Sequence, residues 1–455
     1  MNKLTRIKMI FLFLFFLAGI KNQAQSLPKP SQRQMDWQQM ETNAFLHFTV
    51  NTFTDKEWGD GTESPSVFNP LHFDAGKMIK ALKEAGFKMV ILTAKHHDGF
   101  CLWPSAFTNH SVKYSTWKDG KGDVVREISE ACKANGLKFG FYLSPWDRHE
   151  ASYGTAAYNE YFKNQLRELL TNYGTISEVW FDGAKGSNAK DMQYDFEGYW
   201  KLVRQLQPTA VLFSDVGPDV RWVGNESGNA GNTCWSTINT EGMSPGKADA
   251  SYLNQGDAAG KLWMAPETDV SIRPGWFYHP SEDQKVKSGK QLVDLYYTSV
   301  GRNSLLLLNI PPNRDGIFSE PDLQSILEFR KILNESFHTN LLAGITKKEL
   351  TDGDVHTCAV LNANESIVIN FKKNLVFDRA CFQEDISKGQ RVGSALLEYW
   401  DGKNWQEIEQ FTTIGYKRLL RFPVVNASKV RFTVLKTRKQ AHIAEMGLYK
   451  ASSDE

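Results

Sequence analysis

The sequence has few cysteines, and they follow no pattern that a disulfide framework or a zinc site requires. It carries five among 455 residues, an odd number, without a CxxC pair. They are widely spaced: Cys101, Cys132, Cys234, Cys358 and Cys381. Since even, closely spaced cysteines mark disulfide-rich folds and CxxC pairs mark zinc sites, we expect neither here. Either Cys358 pairs with Cys381, or all five are free thiols.

The chain also lacks an excess of charge of either sign. It has 53 basic and 52 acidic residues, for a net charge of +1 at pH 7. Nucleic acids and anionic membranes attract proteins with a basic excess, so we expect neither as a partner. Glycine-rich phosphate loops and the HExxH motif are absent from the sequence too. We therefore expect no metal and no cofactor at the active site.

Long apolar runs are absent after the first residues, so no membrane span is expected in the mature chain. Residues 1–24 predict a secretory signal peptide. Basic residues precede an apolar run from Met9 to Ile20, and Ala24 offers a small residue for cleavage. No cysteine follows at once, which argues against a lipid anchor. We expect an exported protein, periplasmic if the source is a Gram-negative bacterium.

Strand-like and helix-like segments alternate over residues 25–341. Strands are predicted at residues 44–50, 87–93, 137–143, 176–182, 210–215, 233–237, 262–267 and 304–309. Helices are predicted at residues 74–85, 123–135, 155–171, 196–206, 290–300 and 320–334. Regular alternation implies parallel strands with right-handed crossovers. Eight such units predict a catalytic (β/α)8 barrel of the α/β class.

The pattern changes in residues 342–455. Short segments of alternating polarity lie at residues 366–371, 395–400, 418–422 and 429–435, separated by turn signals such as Asp401-Gly402. No helix-length periodic segment intervenes. This pattern predicts a C-terminal antiparallel β-sandwich.

The most informative stretch for chemistry is the EVWFDG run at residues 178–183. A β-branched and aromatic run that ends on one carboxylate is typical of a barrel strand delivering an acid to the rim. Asp182 is the candidate nucleophile of a retaining glycosidase. Trp180, two residues earlier, is predicted to point into the barrel as well. The alternative is that Asp182 only caps the following helix.

A second carboxylate is needed as the acid/base of such a reaction. Glu226, in the WVGNE run at residues 222–226, is the candidate, because a neighbouring tryptophan can shield it and raise its pKa. The residues alone leave other acids open: Asp215, Glu241, Glu267 and Asp269.

Two adjacent histidines, His96 and His97, invite a metal hypothesis. Neighbours on an extended strand point to opposite sides, so they do not easily bind one ion. Hydrogen bonding to sugar hydroxyls fits neutral imidazole better, although one of the two can be a buried structural residue. Arg273, in the SIRPGW run at residues 271–276, either holds a ligand oxygen or covers the surface.

These motifs together resemble the α-L-fucosidases of glycoside hydrolase family 29. The resemblance covers most of residues 35–315. It rests on FLHF at residues 45–48, EW at 57–58, TAKHHDGF at 93–100, WFDG at 180–183 and WMAPE at 263–267. The resemblance implies a retaining exo-enzyme that removes terminal α-L-fucose from oligosaccharides or glycoconjugates through a covalent fucosyl–aspartate intermediate.

The resemblance also implies roles for individual residues. Asp182 matches the family nucleophile, and Arg273 is taken as the counterpart of a pocket arginine. The other matches to the fucose pocket are His47, Glu57, Trp58, His96, His97, Tyr142 and Trp180.

The WVGNE run is similar to the subfamily that cleaves α-1,3 and α-1,4 branches of Lewis-type glycans. In that group its glutamate is the acid/base, so Glu226 becomes the preferred candidate. The HFTVNTF run at residues 47–53, without a glycine after HF, also favours this group. Four alternatives remain: a broad-specificity fucosidase, a lectin-like protein that kept the fold, a barrel glycosidase for another sugar and, most distant, a metallohydrolase, which chelator-insensitive activity would exclude.

Overall fold

The computed structural model describes residues 26–452. The predicted signal peptide, residues 1–24, lies outside the described residues. Among residues 26–452, every helix falls short of the length and apolar character that a bilayer crossing requires.

Within residues 26–452, eight parallel strands close into a barrel. These strands are β1 (Thr42–Leu46), β2 (Met89–Lys95), β3 (Lys138–Leu143), β4 (Glu178–Trp180), β5 (Val211–Ser214), β6 (Val220–Trp222), β9 (Ala265–Ser271) and β10 (Leu305–Asn309). They follow one another around the barrel in that order, and β10 pairs with β1. A short antiparallel ribbon of β7 (Thr237–Ile238) and β8 (Leu262–Trp263) lies between β6 and β9 in sequence. The predicted (β/α)8 class is confirmed.

Helices connect the strands and pack against their outer faces. In the described chain they are α1 (Gln32–Gln38), α2 (Val50–Thr54), α3 (Ala75–Glu84), α4 (Val124–Asn135), α5 (Ala157–Asn172), α6 (Phe196–Leu206), α7 (Ala250–Gln255), α8 (Gly289–Thr298) and α9 (Glu320–Phe337). Asp74, Asp123 and Asp195 each accept a backbone N–H at a helix N-terminus, the usual way a first turn is satisfied. All six predicted helices are present, while α1, α2 and α7 are too short to show a clear period.

The predicted sixth barrel strand at residues 233–237 is wrong. The sixth position is taken by β6, which pairs with β5 on one side and β9 on the other. Only residues 215–219 separate β5 from β6, so no helical pattern precedes β6 to indicate a new strand. Its central residue is also an arginine. Arg221 is nevertheless fully buried, and its guanidinium donates to the backbone oxygens of Leu253 and Trp235, each at 2.8 Å.

The C-terminal region is the predicted antiparallel β-sandwich. In the described residues it has β11 (Ala359–Leu361), β12 (Ser366–Glu384), β13 (Val392–Trp400), β14 (Trp405–Thr412), β15 (Arg418–Thr437) and β16 (Ala441–Tyr449). Their order is β11-β16-β12-β15-β13-β14. The predicted segments 418–422 and 429–435 are parts of the single strand β15. Register shifts between β12 and β15 let the two long strands bend and enclose one apolar core.

A partly buried ionic contact ties the sandwich to the barrel. Glu41, just before β1, pairs with Lys417 and accepts hydrogen bonds from the hydroxyls of Tyr296 and Tyr416. Burial alone would raise the pKa of Glu41, but Lys417 and the two phenols bring it below its ordinary value. A buried charge of this kind is stable only when it is paired and hydrogen-bonded.

Candidate active site

A cavity of about 650 Å³ opens at the C-terminal ends of the barrel strands. Eight of the ten residues predicted for the site line it: His47, Trp58, His96, His97, Tyr142, Trp180, Asp182 and Glu226. Its wall also contains residues that were not predicted to bind, among them Phe45, Lys185, Trp222, Asp269 and Trp276. Phe45 precedes His47 by two positions on one strand, so period-two alternation could have placed it in the cavity.

Asp182 follows β4 and reaches the cavity with 19% of its side chain exposed. Its Oδ2 accepts a hydrogen bond from the Tyr142 hydroxyl at 3.0 Å, and its Oδ1 accepts the Ala184 backbone N–H at 2.8 Å. Burial raises the pKa of Asp182 to about 7, the negative charges of Asp215 and Glu226 add to the rise, and the two donors oppose it. The carboxyl group is therefore balanced between its two protonation states near neutral pH.

His97 is held in one tautomer by its neighbours. The Ser144 hydroxyl donates to the Trp146 carbonyl at 2.6 Å, so its oxygen accepts from His97 Nδ1 at 2.8 Å. Burial lowers the pKa of His97 to about 3, so the ring is neutral. Its Nε2 then carries a lone pair, 3.6 Å from Asp182 Oδ2. This nitrogen is an acceptor for a ligand hydroxyl beside the carboxylate.

His47 is oriented in the same way by Asn309. The Asn309 amide nitrogen donates to Ser271 Oγ at 2.9 Å and to the Trp276 carbonyl at 2.7 Å. Its Oδ1 is thereby turned toward His47 Nδ1, 2.8 Å away. Burial lowers the pKa of His47 to about 3, which leaves Nε2 of the neutral ring as an acceptor. Two fixed acceptors suit a ligand rich in hydroxyl donors.

The charged residues that flank the paired histidines face away from the cavity. Lys95 is fully buried and donates to Asp147 at 2.8 Å and to Gln165 at 2.9 Å. Asp98 accepts from the Thr49 hydroxyl at 2.9 Å and the Phe100 N–H at 2.7 Å. These contacts make the motif rigid, so the imidazole rings are held from behind.

Trp180, in the cavity wall, is anchored by Glu267, which neighbours a second buried acid, Glu178. Its indole N–H donates to Glu267 Oε1 at 2.8 Å, and Trp37 donates in the same way to Glu178 Oε2 at 2.8 Å. Burial raises the pKa of Glu178 to about 8. Burial and the nearby charge of Glu178 together raise the pKa of Glu267 well above its ordinary range. Two carboxyl groups in an apolar interior do not both ionise, so the pair retains at least one proton at neutral pH.

Glu226 lies four residues after the end of β6 and so is a strand-end acid like Asp182. The Trp276 indole N–H donates to Glu226 Oε2 at 3.3 Å. Two of the other candidate acids, Asp269 and Asp215, have different partners. Asp269 is buried and accepts from Trp222 at 2.8 Å, and Asp215 accepts the Gly246 N–H at 2.7 Å. Both line the cavity, but each already has a structural hydrogen bond.

The two remaining rival acids do not reach the cavity. Glu267 lies below Trp180, and Glu241 is exposed and absent from the described residues that line the cavity. Beside Asp182, the acids of the cavity wall differ in exposure: Glu226 is exposed and has one indole contact at 3.3 Å, whereas Asp215 is half-buried and Asp269 is buried.

Glu57 does not line the cavity but orders one of its walls. Its two carboxylate oxygens accept the backbone N–H groups of Trp276 at 2.8 Å and Phe277 at 3.1 Å. His279 also contacts Glu57 at 2.7 Å. Glu57 thereby fixes the segment that carries Trp276 next to Glu226. Trp58, the next residue, does line the cavity, with its ring edge-on to His97 at 5.4 Å.

Arg273 also lies away from the cavity, and a contact with ligand has no support in this arrangement. Its guanidinium is fully buried and donates to Asp322 at 3.1 Å, Asp283 at 2.8 Å and Ser319 at 2.7 Å. A buried arginine with these partners braces the segment after β9 against the start of α9. The position of Arg273 beyond a strand end was predicted from the sequence, but the direction of its side chain was not.

A second cavity, of about 750 Å³, lies at the opposite end of the barrel, near the N-terminal ends of the strands. Trp37 and Tyr173 line it, together with a mixture of basic and acidic side chains. Although it is larger, it lies at the end of the barrel that contributes to stability in this fold, not to catalysis. The carboxylates of Asp182 and Glu226 and the imidazoles of His47, His96 and His97 line the other cavity.

Comparison with known proteins identifies the family of the chain. The family model described as Alpha-L-fucosidase matches residues 23–335. The chain is 46% identical to Alpha-L-fucosidase 1 of Arabidopsis thaliana over 97% of this chain and 94% of the relative. It superimposes on a Ruminococcus gnavus GH29 fucosidase solved in complex with fucose, with a TM-score of 0.86, 35% identity, and coverage of 94% and 97% of the two chains.

Two further matches differ in identity and coverage. Plasma alpha-L-fucosidase of Homo sapiens is 26% identical over 60% of this chain and 56% of its own length. A glycoside hydrolase 29 family member from an unknown rumen bacterium has a TM-score of 0.86 and 44% identity over 94% of this chain and 78% of its own. The chain therefore belongs to the alpha-L-fucosidase family, glycoside hydrolase family 29.

Proposed function

We propose that this glycoside hydrolase is an exo-acting, retaining α-L-fucosidase specific for α-1,3- and α-1,4-linked fucose in branched, Lewis-type glycans. Asp182 is the nucleophile and Glu226 the acid/base. The observation that carries the proposal is that both carboxylates line one cavity, whose wall also contains aromatic rings and two oriented imidazole acceptors.

The reaction proceeds in two displacements. In the first, Asp182 attacks the anomeric carbon of fucose while Glu226 gives its proton to the departing glycosidic oxygen. A covalent fucosyl–aspartate ester forms, and the bond to the rest of the glycan breaks. In the second, Glu226 removes a proton from water, the water attacks the anomeric carbon, and Asp182 leaves as a carboxylate. The Tyr142 and Ala184 donors stabilise Asp182 in its ionised form at both ends of the cycle.

The cavity wall suits a deoxy sugar. The acceptors His47 Nε2 and His97 Nε2 take hydrogen bonds from hydroxyl groups, and Phe45, Trp180 and Trp276 offer apolar faces for C–H bonds and the fucose methyl group. Trp180 has a fixed orientation, because its ring stacks on Phe213 at 4.0 Å and its N–H is bound by Glu267. Fixed partners reduce the entropy cost of orienting the sugar.

The size of the cavity supports the proposed branch specificity. The cavity exceeds the size of one deoxyhexose, and Lys185, Gly246 and Ala248 form a further part of its wall. A second sugar bound there contributes binding energy that orients the fucose and the Glu226 loop for reaction. Unbranched fucosides lack this contact, so they react more slowly.

The test is fucose release from three substrates in parallel: a Lewis a or Lewis x oligosaccharide, 2′-fucosyllactose and an aryl α-L-fucoside. The proposal expects strong release from the Lewis glycan and little from the other two. Comparable release from all three supports the broad-specificity alternative. Binding of fucose without release from any of them supports the lectin-like alternative.

Variants test the two roles. Asp182→Ala should lose about 10³-fold or more in kcat, as expected for removing a nucleophile. Glu226→Ala should lose activity and recover part of it with azide, since a small anion replaces the missing base in deglycosylation. Glu241→Ala is the matched control, because this acid is exposed outside the cavity. Normal activity in Glu226→Ala would move the acid/base role to Asp215 or Asp269.

Export is part of the proposal. It is supported by the basic residues and apolar run at residues 1–24. Expression of the full chain in a Gram-negative host should give a periplasmic enzyme whose N-terminus begins near Gln25. An uncleaved chain retained in the cytoplasm would contradict export.

A further inference from the structure

Three metal-binding side chains meet at one edge of the C-terminal sandwich. Cys358 precedes β11, His442 lies in β16, and Asp385 follows β12. The Cys358 sulfur is 3.6 Å from His442 Nδ1, and these two atoms and a carboxylate oxygen of Asp385 all lie within 4.8 Å of one another. Pairing of Val360 with His442, and a backbone bond from Asp385 N to His442 O at 2.9 Å, hold the three segments together.

Asp385 supplies an independent sign that this cluster binds something. The residue is 2% exposed. Its Oδ1 accepts hydrogen bonds from the Ser387 backbone N–H at 3.1 Å and hydroxyl at 2.5 Å. Its Oδ2 is buried and has no hydrogen-bond partner among residues 26–452. An unsatisfied buried carboxylate oxygen is costly, and a cation is the group that relieves the cost most completely.

The donor set favours one class of metal. Thiolate, imidazole and carboxylate together suit a borderline-soft divalent ion such as Zn²⁺, with a hard ion such as Ca²⁺ excluded by the sulfur. A tetrahedral zinc with Zn–S of about 2.3 Å and Zn–N of about 2.0–2.1 Å separates its sulfur and nitrogen ligands by about 3.5 Å. The observed 3.6 Å between Cys358 Sγ and His442 Nδ1 matches this separation.

We propose that Cys358, Asp385 and His442 bind one Zn²⁺ ion, with water as the fourth ligand on the solvent side. The thiolate and carboxylate together neutralise the charge of the ion. The site is in the sandwich, not in the barrel, and its role is structural. It clips the three-residue strand β11, which lies at the edge of the sheet, to β16 and to the end of β12. Short edge strands have few backbone partners, so a metal clip there raises stability.

Zinc binding is measured on the full mature chain, produced without a histidine tag and treated with a chelator. Calorimetry should give one Zn²⁺ per chain, and Tm should rise with zinc concentration as linkage requires. Co²⁺ should give a thiolate charge-transfer band. Cys358→Ser and His442→Ala should each weaken zinc binding about 100-fold or more. The control is His338→Ala, an exposed histidine outside the cluster, which should bind zinc as the native chain does.

A second measurement does not depend on variants that fold. The other four cysteines are buried, so Cys358 is the accessible thiol among the described residues. Iodoacetamide should alkylate Cys358 in the metal-free chain, identified by peptide mass spectrometry, and Zn²⁺ should slow that reaction about 10-fold or more. Equal alkylation with and without zinc, or unchanged zinc affinity in Cys358→Ser, overturns the proposal. Release of fucose from an aryl fucoside should not depend on zinc, which separates this result from the barrel chemistry.

Discussion

Replacement of Tyr142 by phenylalanine isolates the hydrogen bond that stabilises the Asp182 carboxylate. The ring remains, so its packing against Phe45 and Trp180 is kept. The change removes the donor 3.0 Å from Asp182 Oδ2, while the Ala184 N–H still binds Oδ1. Since that hydroxyl favours the ionised form, the pKa of Asp182 must rise in the variant.

The size of the shift follows from the energy of the bond. A hydrogen bond to a charged group contributes about 1.5–3 kcal/mol. At about 1.4 kcal/mol per pKa unit, its loss raises the pKa of Asp182 by about 1–2 units. Burial already places that pKa at about 7. The ionised fraction at pH 7 therefore falls about 5- to 50-fold, and the acid limb of kcat/KM moves to higher pH by the same 1–2 units.

The assay is kcat/KM against pH with a Lewis a or Lewis x oligosaccharide, the substrate class proposed above. The nucleophile must be deprotonated to react, so the acid limb of this profile reports Asp182. Tyr114→Phe is the matched control, because this tyrosine is half exposed and outside the cavity. An acid limb that stays in place while kcat/KM falls uniformly would refute the reasoning. Tyr142 would then act on the transition state without holding the charge of Asp182.

Three further variants test the support around the site. Glu57→Gln places an amide against a backbone N–H of the Trp276 segment, so kcat/KM should fall about 10- to 100-fold with little change in Tm. Unchanged kinetics would contradict the role of Glu57 in ordering this segment. Arg273→Gln leaves a buried carboxylate unpaired, so the free energy of unfolding measured by chemical denaturation should fall by about 3–5 kcal/mol while KM stays normal. A raised KM with unchanged stability would instead support a role of Arg273 in binding. The pKa of Glu267 is raised on folding, so the free energy of unfolding falls as pH rises above its ordinary range near 4.5. Glu267→Gln removes this contribution, so its stability should decline less between pH 5 and pH 9; equal slopes would count against the buried acid pair.

The parts of the fold that were predictable are those with a regular period. Helices such as α3, α4 and α6 have apolar stripes and acidic caps, and their boundaries were predicted within two residues. The strand β6 was missed because a three-residue strand centred on a buried arginine has no period. Its arginine is acceptable only because distant carbonyl oxygens, those of Leu253 and Trp235, satisfy it. Contacts between residues so far apart in the sequence leave no signal in a local sequence pattern.

The same limit applies within the active site. Asp182 was predictable, because a buried strand leads straight to it and the barrel fixes where strands end. Arg273 and Glu57 have residue types suited to binding, yet both use their polar atoms on the protein itself. Residue type alone does not distinguish a donor that faces a ligand from one that faces a loop. The sequence predicts no zinc site because it has no CxxC pair, and a local pattern does not relate Cys358, Asp385 and His442, which meet only in the folded sandwich.

The two proposed catalytic carboxylates differ in how they are held, and this difference bears on specificity. Asp182 is fixed by a barrel strand and by Tyr142, both part of the rigid core. Glu226 lies on a loop and has one indole contact at 3.3 Å, from Trp276, whose own backbone is held by Glu57. A nucleophile needs one position for every fucoside, whereas an acid must meet the oxygen of a particular leaving group. Because the weaker support belongs to the residue that we propose as the acid, binding of a second sugar can improve the placement of Glu226 without disturbing Asp182.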